Sequence, residues 1–424
     1  MYPNPESPTA RVAFNNVEQK EKSIVDAARF PHVARNAWGW ITVGVEVKFK
    51  ATHSAFVFQN FDKKGYKPAP SSLLRDSDLG KKAQAQLAKY ATEIMIRQHR
   101  SYVFIIYITS DQARLTRWDR AGCIVSTPVH LTNESHKLLN FVYRLGLMSD
   151  EELGYDSTAV LATSAEIQDL LAFTPKNSYA AKCAKDISCP DVTSQTFSEY
   201  FIGKHSAASH SPTGRGTKGY VTFNFRNKLA PKLSFMKDYW RPNIQGARTE
   251  LDIYLLLNGL SVCNIATAIG GGDIPGQLTI SQNFLGIDKP EELSHCRIVF
   301  EELARPLSDY KSSALMILAV YNALEAHYVG WRKAGILHRD ISVNNIMRVV
   351  DQSLENDDSV VHGILNDWDL SKHKDELKGS HQVVRAGTWA FMSAVSLRYP
   401  FKPNDLADDL ESFVHVVTFL MLQF

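Results

Sequence analysis

Gly335-Ile-Leu-His338-Arg339-Asp340-Ile-Ser342-Val-Asn344-Asn345-Ile-Met347 is the stretch on which the reading of this chain turns. It follows a long helical pattern over Ser312–Lys333, in which Leu315, Leu318, Ala319, Asn322, Ala323 and Ala326 recur at helical spacing and read as core. An aspartate followed by an asparagine five positions later can share out two linked tasks of phosphoryl transfer. In such a pair Asp340 would accept or orient the proton of a substrate hydroxyl, while the Asn345 carboxamide would hold Mg²⁺ and hydrogen-bond the loop. Either residue alone is an ordinary turn former. The His-Arg-Asp triplet with Asn at that spacing, flanked by apolar strand-like residues, is a specific pattern.

The segments on either side fit the same chemistry. Downstream, Val361–Leu370 reads as a strand ending in Asn366-Asp367-Trp368-Asp369; a carboxylate at Asp367 suits the oxygen-seeking Mg²⁺ that bridges nucleotide phosphates. Between the two motifs, Asp351–Ser359 reads as a solvated acidic insertion. Upstream, Gly214-Arg215-Gly216-Thr217-Lys218-Gly219-Tyr220-Val221 fits G-x-G-x-x-G-x-V, whose backbone N–H groups can close on phosphate oxygens because no Cβ intervenes. Gly214, Gly216, Gly219 and Val221 are therefore candidate nucleotide-binding residues. Two strands follow, Tyr220–Phe225 and Leu233–Lys237, whereas a dinucleotide-binding fold would run strand, loop, helix. Lys237 ends an apolar strand and is the candidate to grip the α/β-phosphates. Glu250 opens a helical pattern to Leu257 and is its candidate partner, with Asp252 as the fallback.

These motifs resemble the protein kinase fold, and residues 211–424 resemble the fungal-type protein kinase-like family in particular. Further marks are Gly387-Thr388-Trp389-Ala390-Phe391-Met392-Ser393 and Asp408-Asp409-Leu410-Glu411-Ser412-Phe413. The resemblance implies an ATP- and Mg-dependent transfer to Ser or Thr of a protein substrate, with Asp340 as base and Asn345 and Asp367 as metal ligands. It implies a hinge at Phe300–Leu303, where Glu301 and Leu303 would meet adenine, and Asp409 at the start of a helix bracing the catalytic loop. Arg339 would receive a phosphate on the activation segment, with Ser371, Ser380 and Thr388 as candidate acceptors. The chain departs from ordinary Ser/Thr kinases in three places: Ser342 stands where a phosphate-contacting lysine is usual, Asp369 replaces the glycine of Asp-Phe-Gly, and Ser393-Ala394-Val395 replaces Ala-Pro-Glu.

The expected fold class is α+β, a bilobal kinase-like domain preceded by a separate α+β domain. The divisions are a polar segment over 1–35 with a short helical pattern at Glu18–Arg29, an N-terminal domain over 36–173, a Ser/Thr/Pro/Lys-rich linker over 174–210, and the kinase-like region over 211–424. The small lobe is expected to run to about 303, and the large lobe to be partial at Phe424. In the N-terminal domain, strands are expected at Trp40–Phe49, Ser101–Ser110, Ala113–Trp118 and Cys123–Ser126, and helices at Leu79–His99 and Ala159–Phe173. Its Glu46-Val47-Lys48 and Trp118-Asp119-Arg120 are similar to elements this kinase family carries.

Two other classes of function remain. A pseudokinase scaffold would bind ATP with little turnover. Glu46-Val47-Lys48 in a strand, with Gln98 and Tyr102 after a helix, resembles a metal-dependent nuclease pattern, but its second strand carboxylate is missing, and the pair also reads as two residues on one exposed strand face. Composition narrows the field further. With 424 residues, 44% hydrophobic and 22% charged, the chain can bury full cores in two or three domains. A net charge of +2 gives no general pull toward nucleic acid or anionic lipid. The five scattered cysteines (Cys123, Cys183, Cys189, Cys263, Cys296) lack metal-ligand spacing and read as buried free thiols. The polar N-terminus and short apolar runs suggest an intracellular protein, cytoplasmic or nuclear, with no membrane partner and a possible protein partner at the N-terminal domain.

Overall fold

The computed structural model describes residues 38–39, 41–57, 61–62, 65–66, 73–161, 164–188, 195–197, 200–203, 205–224, 232–284, 290–355, 362–377 and 387–422. The expected helix at Glu18–Arg29, Cys189 and Ser380 lie outside them. The chain is an α+β protein with a separate N-terminal sheet, a small lobe built on a second sheet, and a mainly helical large lobe.

In the N-terminal sheet, Val43–Lys48 runs parallel to Tyr102–Thr109, which continues antiparallel into Gln112–Asp119 and Gly122–Val125. The parallel pair is joined by the helix Asp78–Arg97, capped where the Ser77 side chain accepts from Gly80 N–H. Ala83, Leu87, Ala91, Ile94 and Met95 make its buried stripe, packed on Val103, Ile105 and Tyr107. Burying each of the larger side chains is worth roughly 1.5–3 kcal/mol. This helix corrects one expectation. Glu46, read as exposed, is 8% exposed while Val45 and Val47 face solvent, because the Glu46 face of the strand lies under the helix. There Glu46 pairs with Lys48 at 2.5 Å, and Lys48 donates to Gln86 Oε1 at 2.7 Å.

The small-lobe sheet runs, edge to edge, Ala268–Leu278, Leu293–Phe300, Leu233–Pro242, Lys218–Asn224, Tyr200–Ile202, Gln195–Phe197 and Val160–Leu161. Its last strands come from regions read as helix and linker. Ala159–Phe173 is the strand Val160–Leu161 followed by the helix Ser164–Ala172, and 174–210 carries the helix Ser178–Ser188 and three strands. Leu170, Ala180, Cys183 and Ala184 join Phe201, Val221, Phe223, Leu233, Leu303 and Val350 in one core. A few apolar side chains, one helical turn apart, are enough to dock these helices although their composition is linker-like.

In the large lobe, the helix Ser313–Ala334 buries Met316, Ala319, Val320, Ala323 and Ala326 and ends at Gly335, whose left-handed φ of 65° turns the chain into the His338–Asn345 loop. Its alanines let the strand Gly363–Leu365 approach so closely that a Cβ at Gly363 would lie 2.5 Å from the Ala319 backbone. The helix Leu406–Leu422 closes the lobe with Phe413, Val416 and Leu420. Among the described cysteines, Cys183 and Cys296 are buried, Cys123 is half-buried and Cys263 is exposed, which corrects the expectation of uniformly buried thiols.

The N-terminal unit is fastened to the small lobe by buried polar groups. On the upper face of the small-lobe sheet, Asp238 accepts from His295 Nε2 (2.9 Å) and Arg297 Nε (2.7 Å). Arg297 reaches across to Asp156 and to Thr158 Oγ1 (2.6 Å), and Lys218 donates to the Gln98 carbonyl (3.2 Å). Asp119 accepts from the Ile280 and Ser281 N–H groups at 3.0 Å each.

Candidate active site

The candidate catalytic loop, His338–Asn345, is set by one buried carboxylate and one imidazole. Asp409, at the start of the last helix, accepts from the backbone N–H of His338 (3.1 Å) and Arg339 (3.1 Å) and pairs with His327 Nε2 (2.8 Å). Arg339 consequently takes a left-handed φ of 70°. His338 donates Nε2–H to the Asn366 carbonyl (3.0 Å), and its Nδ1 accepts the Asp340 N–H (3.2 Å). Burial lowers the pKa of His338, in keeping with this neutral tautomer. Asn345 Nδ2 donates to the Asp340 carbonyl (2.8 Å), so the candidate base and the candidate metal-side amide share one hydrogen-bonded turn.

Asp340 Oδ1 accepts from both the N–H (2.7 Å) and the hydroxyl (2.8 Å) of Thr388. Thr388, named from sequence as a candidate phosphate acceptor, thus has its hydroxyl engaged on the Asp340 carboxylate. Arg339, expected to receive the phosphate, donates to the Leu370 carbonyl (3.0 Å) and Asn404 Oδ1 (3.2 Å). Ser371 donates to the Trp368 carbonyl (2.6 Å). Ser393 Oγ contacts Asp408 (2.5 Å), which also accepts from Lys402 (2.7 Å), so the helix Leu406–Leu422 anchors the segment end that lacks Ala-Pro-Glu.

On the phosphate side, Lys237 donates to Glu250 Oε1 and Oε2 (2.9 and 2.7 Å) and to Asp367 Oδ1 (2.7 Å). Glu250 is the first residue of a helix capped by Thr249 and Asp252, so Asp252, the fallback partner, is spent on the cap. Burial pushes the Glu250 carboxyl above its ordinary value, against the pull of Lys237, which favours the ionised pair. Burial also works against the Lys237 charge, yet Asp367, Glu250 and Asp369 outweigh it and raise Lys237 above the ordinary lysine value. Asp367 lies on a left-handed turn, φ 62°; burial opposes its charge, but Lys237 and Arg215 hold its pKa below the usual carboxylate value. Tyr254, one turn beyond Glu250, accepts the Asp367 N–H (3.0 Å) and donates to Asn366 Oδ1 (2.6 Å). Trp368 is fully buried against His338 and over Gly330, which gives the aromatic room.

Gly214 and Gly216 lie in the loop with φ of 82° and 51°, and a Cβ at Gly214 would meet open space. A Cβ at Gly216 would lie 2.4 Å from Arg120 Cζ, because the loop rests on that N-terminal side chain. Arg120 accepts the Gly214 N–H at its carbonyl (2.8 Å) and donates to the Ser211 carbonyl (2.8 Å). The third glycine departs from the loop reading. Gly219 lies inside the strand Lys218–Asn224, paired with Lys237, where the Phe235 ring fills the space a side chain would need; Val221 is two residues on in the same strand. At the expected hinge, Glu301 pairs with Lys232, and the Leu303 carbonyl accepts the Val350 N–H (2.8 Å). Glu301, Leu303, Phe173, Val349 and Gln352 border a cavity of about 460 Å³.

The donor set fits a hard divalent cation. Glu250, Asp367 and Asp369 each offer an oxygen within 4.8 Å of the others, and Asn345 follows the base in the adjoining turn. Among the described residues no such group includes Glu46, so the nuclease-like pattern does not assemble a carboxylate metal site there. Gln98 donates to the Trp38 and Ile41 carbonyls and Tyr102 to those of Glu151 and Glu152, both away from Lys48's partners. Sequence reasoning missed Tyr254, and it missed the contacts that Thr388 and Arg120, named there in other roles, make here. The i, i+4 spacing from Glu250 would have signalled Tyr254; the other two act across long separations. A family model described as fungal protein kinase matches residues 71–283 and 275–421, reaching from within the N-terminal unit nearly to the end of the chain. No match was found among curated proteins.

Proposed function

The chain belongs to the fungal protein kinase family, and on that premise we propose that it transfers the γ-phosphoryl group of ATP to a Ser or Thr hydroxyl of a protein substrate. The observation that carries this reading is the convergence of Lys237, Glu250 and Asp367, with Asp340 and Asn345 fixed by the loop they share. Lys237, held from two sides, presents a positioned ammonium to the α/β-phosphates. Asn345 and Asp367 are the residues that would hold Mg²⁺, which supplies charge neutralisation on the transferring phosphate. Asp340, steadied by Thr388, takes up or orients the hydroxyl proton. Thr388 belongs to the segment that would face a polypeptide, which favours a protein over a small-molecule acceptor.

The experiment is incubation with γ-labelled ATP, Mg²⁺ and a generic protein substrate, followed by phosphoamino-acid analysis. Label in phosphoserine or phosphothreonine is the expected result. ATP binding without label in protein would favour the scaffold reading instead.

A further inference from the structure

Three carboxylates face the phosphate side of the cleft, and two cations reach them. Lys237 takes Glu250 and Asp367; Arg215 takes Asp369. Arg215 sits between Gly214 and Gly216 on the glycine loop. Its backbone is fixed where its carbonyl accepts the Trp240 N–H at 2.7 Å, while its side chain, 39% exposed, spans the cleft mouth to the turn that follows Asp367. The Asp369 and Asp367 oxygens lie within 4.8 Å of each other, so the guanidinium stands next to the proposed metal ligand.

Ser342 is 1% exposed and carries no charge where a phosphate-contacting lysine is usual. Lys237 is engaged on both sides by carboxylates. A triphosphate entering this cleft adds several negative charges beyond the reach of one ammonium. A guanidinium presents the same planar fork to phosphate as to carboxylate, so Arg215 can exchange one for the other without changing its hydrogen-bonding mode.

We propose that Arg215 is the γ-phosphate-binding cation of this site, parked on Asp369 until a nucleoside triphosphate displaces that carboxylate. The proposal rests on the phosphotransfer reading and deepens it: Asp369, in place of glycine, competes with substrate for the loop's arginine and holds the glycine loop down over the cleft in the meantime.

The test is calorimetric titration of the full chain with ATP and with ADP at saturating Mg²⁺. Arg215→Ala should weaken ATP about tenfold or more while leaving ADP unchanged, since ADP lacks the phosphate in question. Arg215→Lys should fall between, because it keeps the charge and loses the fork. Titrated with ATP in the absence of Mg²⁺, so that Asp369's place among the cation donors does not enter, Asp369→Asn should tighten binding, and that gain should vanish when combined with Arg215→Ala. Equal weakening of ATP and ADP by Arg215→Ala, or no change in either, overturns the proposal and leaves the kinase reading intact. A wild-type chain that binds neither nucleotide overturns both.

Discussion

Asp238→Ala is the sharpest test of how the N-terminal unit and the small lobe are joined. Asp238 is 3% exposed and accepts from both His295 and Arg297. Burial alone would raise its pKa, but His295, Arg297 and Lys218 together hold the carboxyl well below the usual range. Arg297 and Lys218 are 8% and 4% exposed, and their other carboxylate is Asp156, from the N-terminal unit. Deleting Asp238 therefore leaves two buried cations with half their counter-charge. Breaking an exposed pair costs about 0–1 kcal/mol, whereas orphaning a buried charge costs about 3–5 kcal/mol. We expect the larger figure, a sizeable share of the roughly 5–15 kcal/mol that holds a domain together. Urea unfolding followed by circular dichroism and by tryptophan fluorescence measures it, since Trp240 stacks on His295 at 4.8 Å and Trp118 reports on the N-terminal sheet. Both probes should shift together. Asp156→Ala should cost a similar amount, and the double variant less than the sum, because the two share Arg297. A loss under about 1 kcal/mol, or separate melting of the N-terminal unit with an unchanged small lobe, refutes the reasoning.

Other consequences follow from the same geometry. Burial, the largest influence, together with Arg120 and Arg297, lowers Lys218 to about 8 from 10.5. Between those two values the unfolded chain binds more protons, so stability should rise with pH across that window. The urea midpoint should climb less steeply in Lys218→Met, and identical slopes would contradict the assignment. Gly216→Ala forces a Cβ to 2.4 Å from the Arg120 guanidinium at a φ of 51°, so the KM for ATP should rise about tenfold; an unchanged KM would mean the loop does not need that seat. Glu250→Gln keeps the shape but halves the carboxylate support of Lys237, and kcat should fall about a hundredfold or more. Wild-type turnover in this variant would remove Lys237–Glu250 from the mechanism.

The candidate site was legible in the sequence because it is written in short, local stretches. His338, Arg339, Asp340 and Asn345 occupy one turn, and Asp367 ends one strand, so spacing alone places them. Lys237 and Glu250 were found because the strand and the helix start are each clear, and the structure puts them 2.7 Å apart. What the sequence hid depends on long-range contacts. Asp238, His295 and Arg297 look like the solvent face of alternating strands, and nothing local shows that a second unit covers that face. The stretch 174–210 hid its elements in the same way, since a Ser/Thr/Lys-rich helix with a narrow apolar stripe is locally indistinguishable from a linker. Arg120 and Thr388 stand in short motifs that the sequence does show, but their contacts to Ser211 and Asp340 span 91 and 48 residues, which those motifs do not reveal.

The central claim is that Asp340 serves phosphoryl transfer in a cleft built by Lys237, Glu250 and Asp367. It is tested most directly by γ-phosphoryl transfer from ATP and Mg²⁺ to a protein substrate, wild type beside Asp340→Ala, with ATP binding measured on both. The account predicts transfer by the wild type and none by the variant while both bind ATP. Equal transfer by both, or ATP binding by a wild type that transfers nothing, would contradict it.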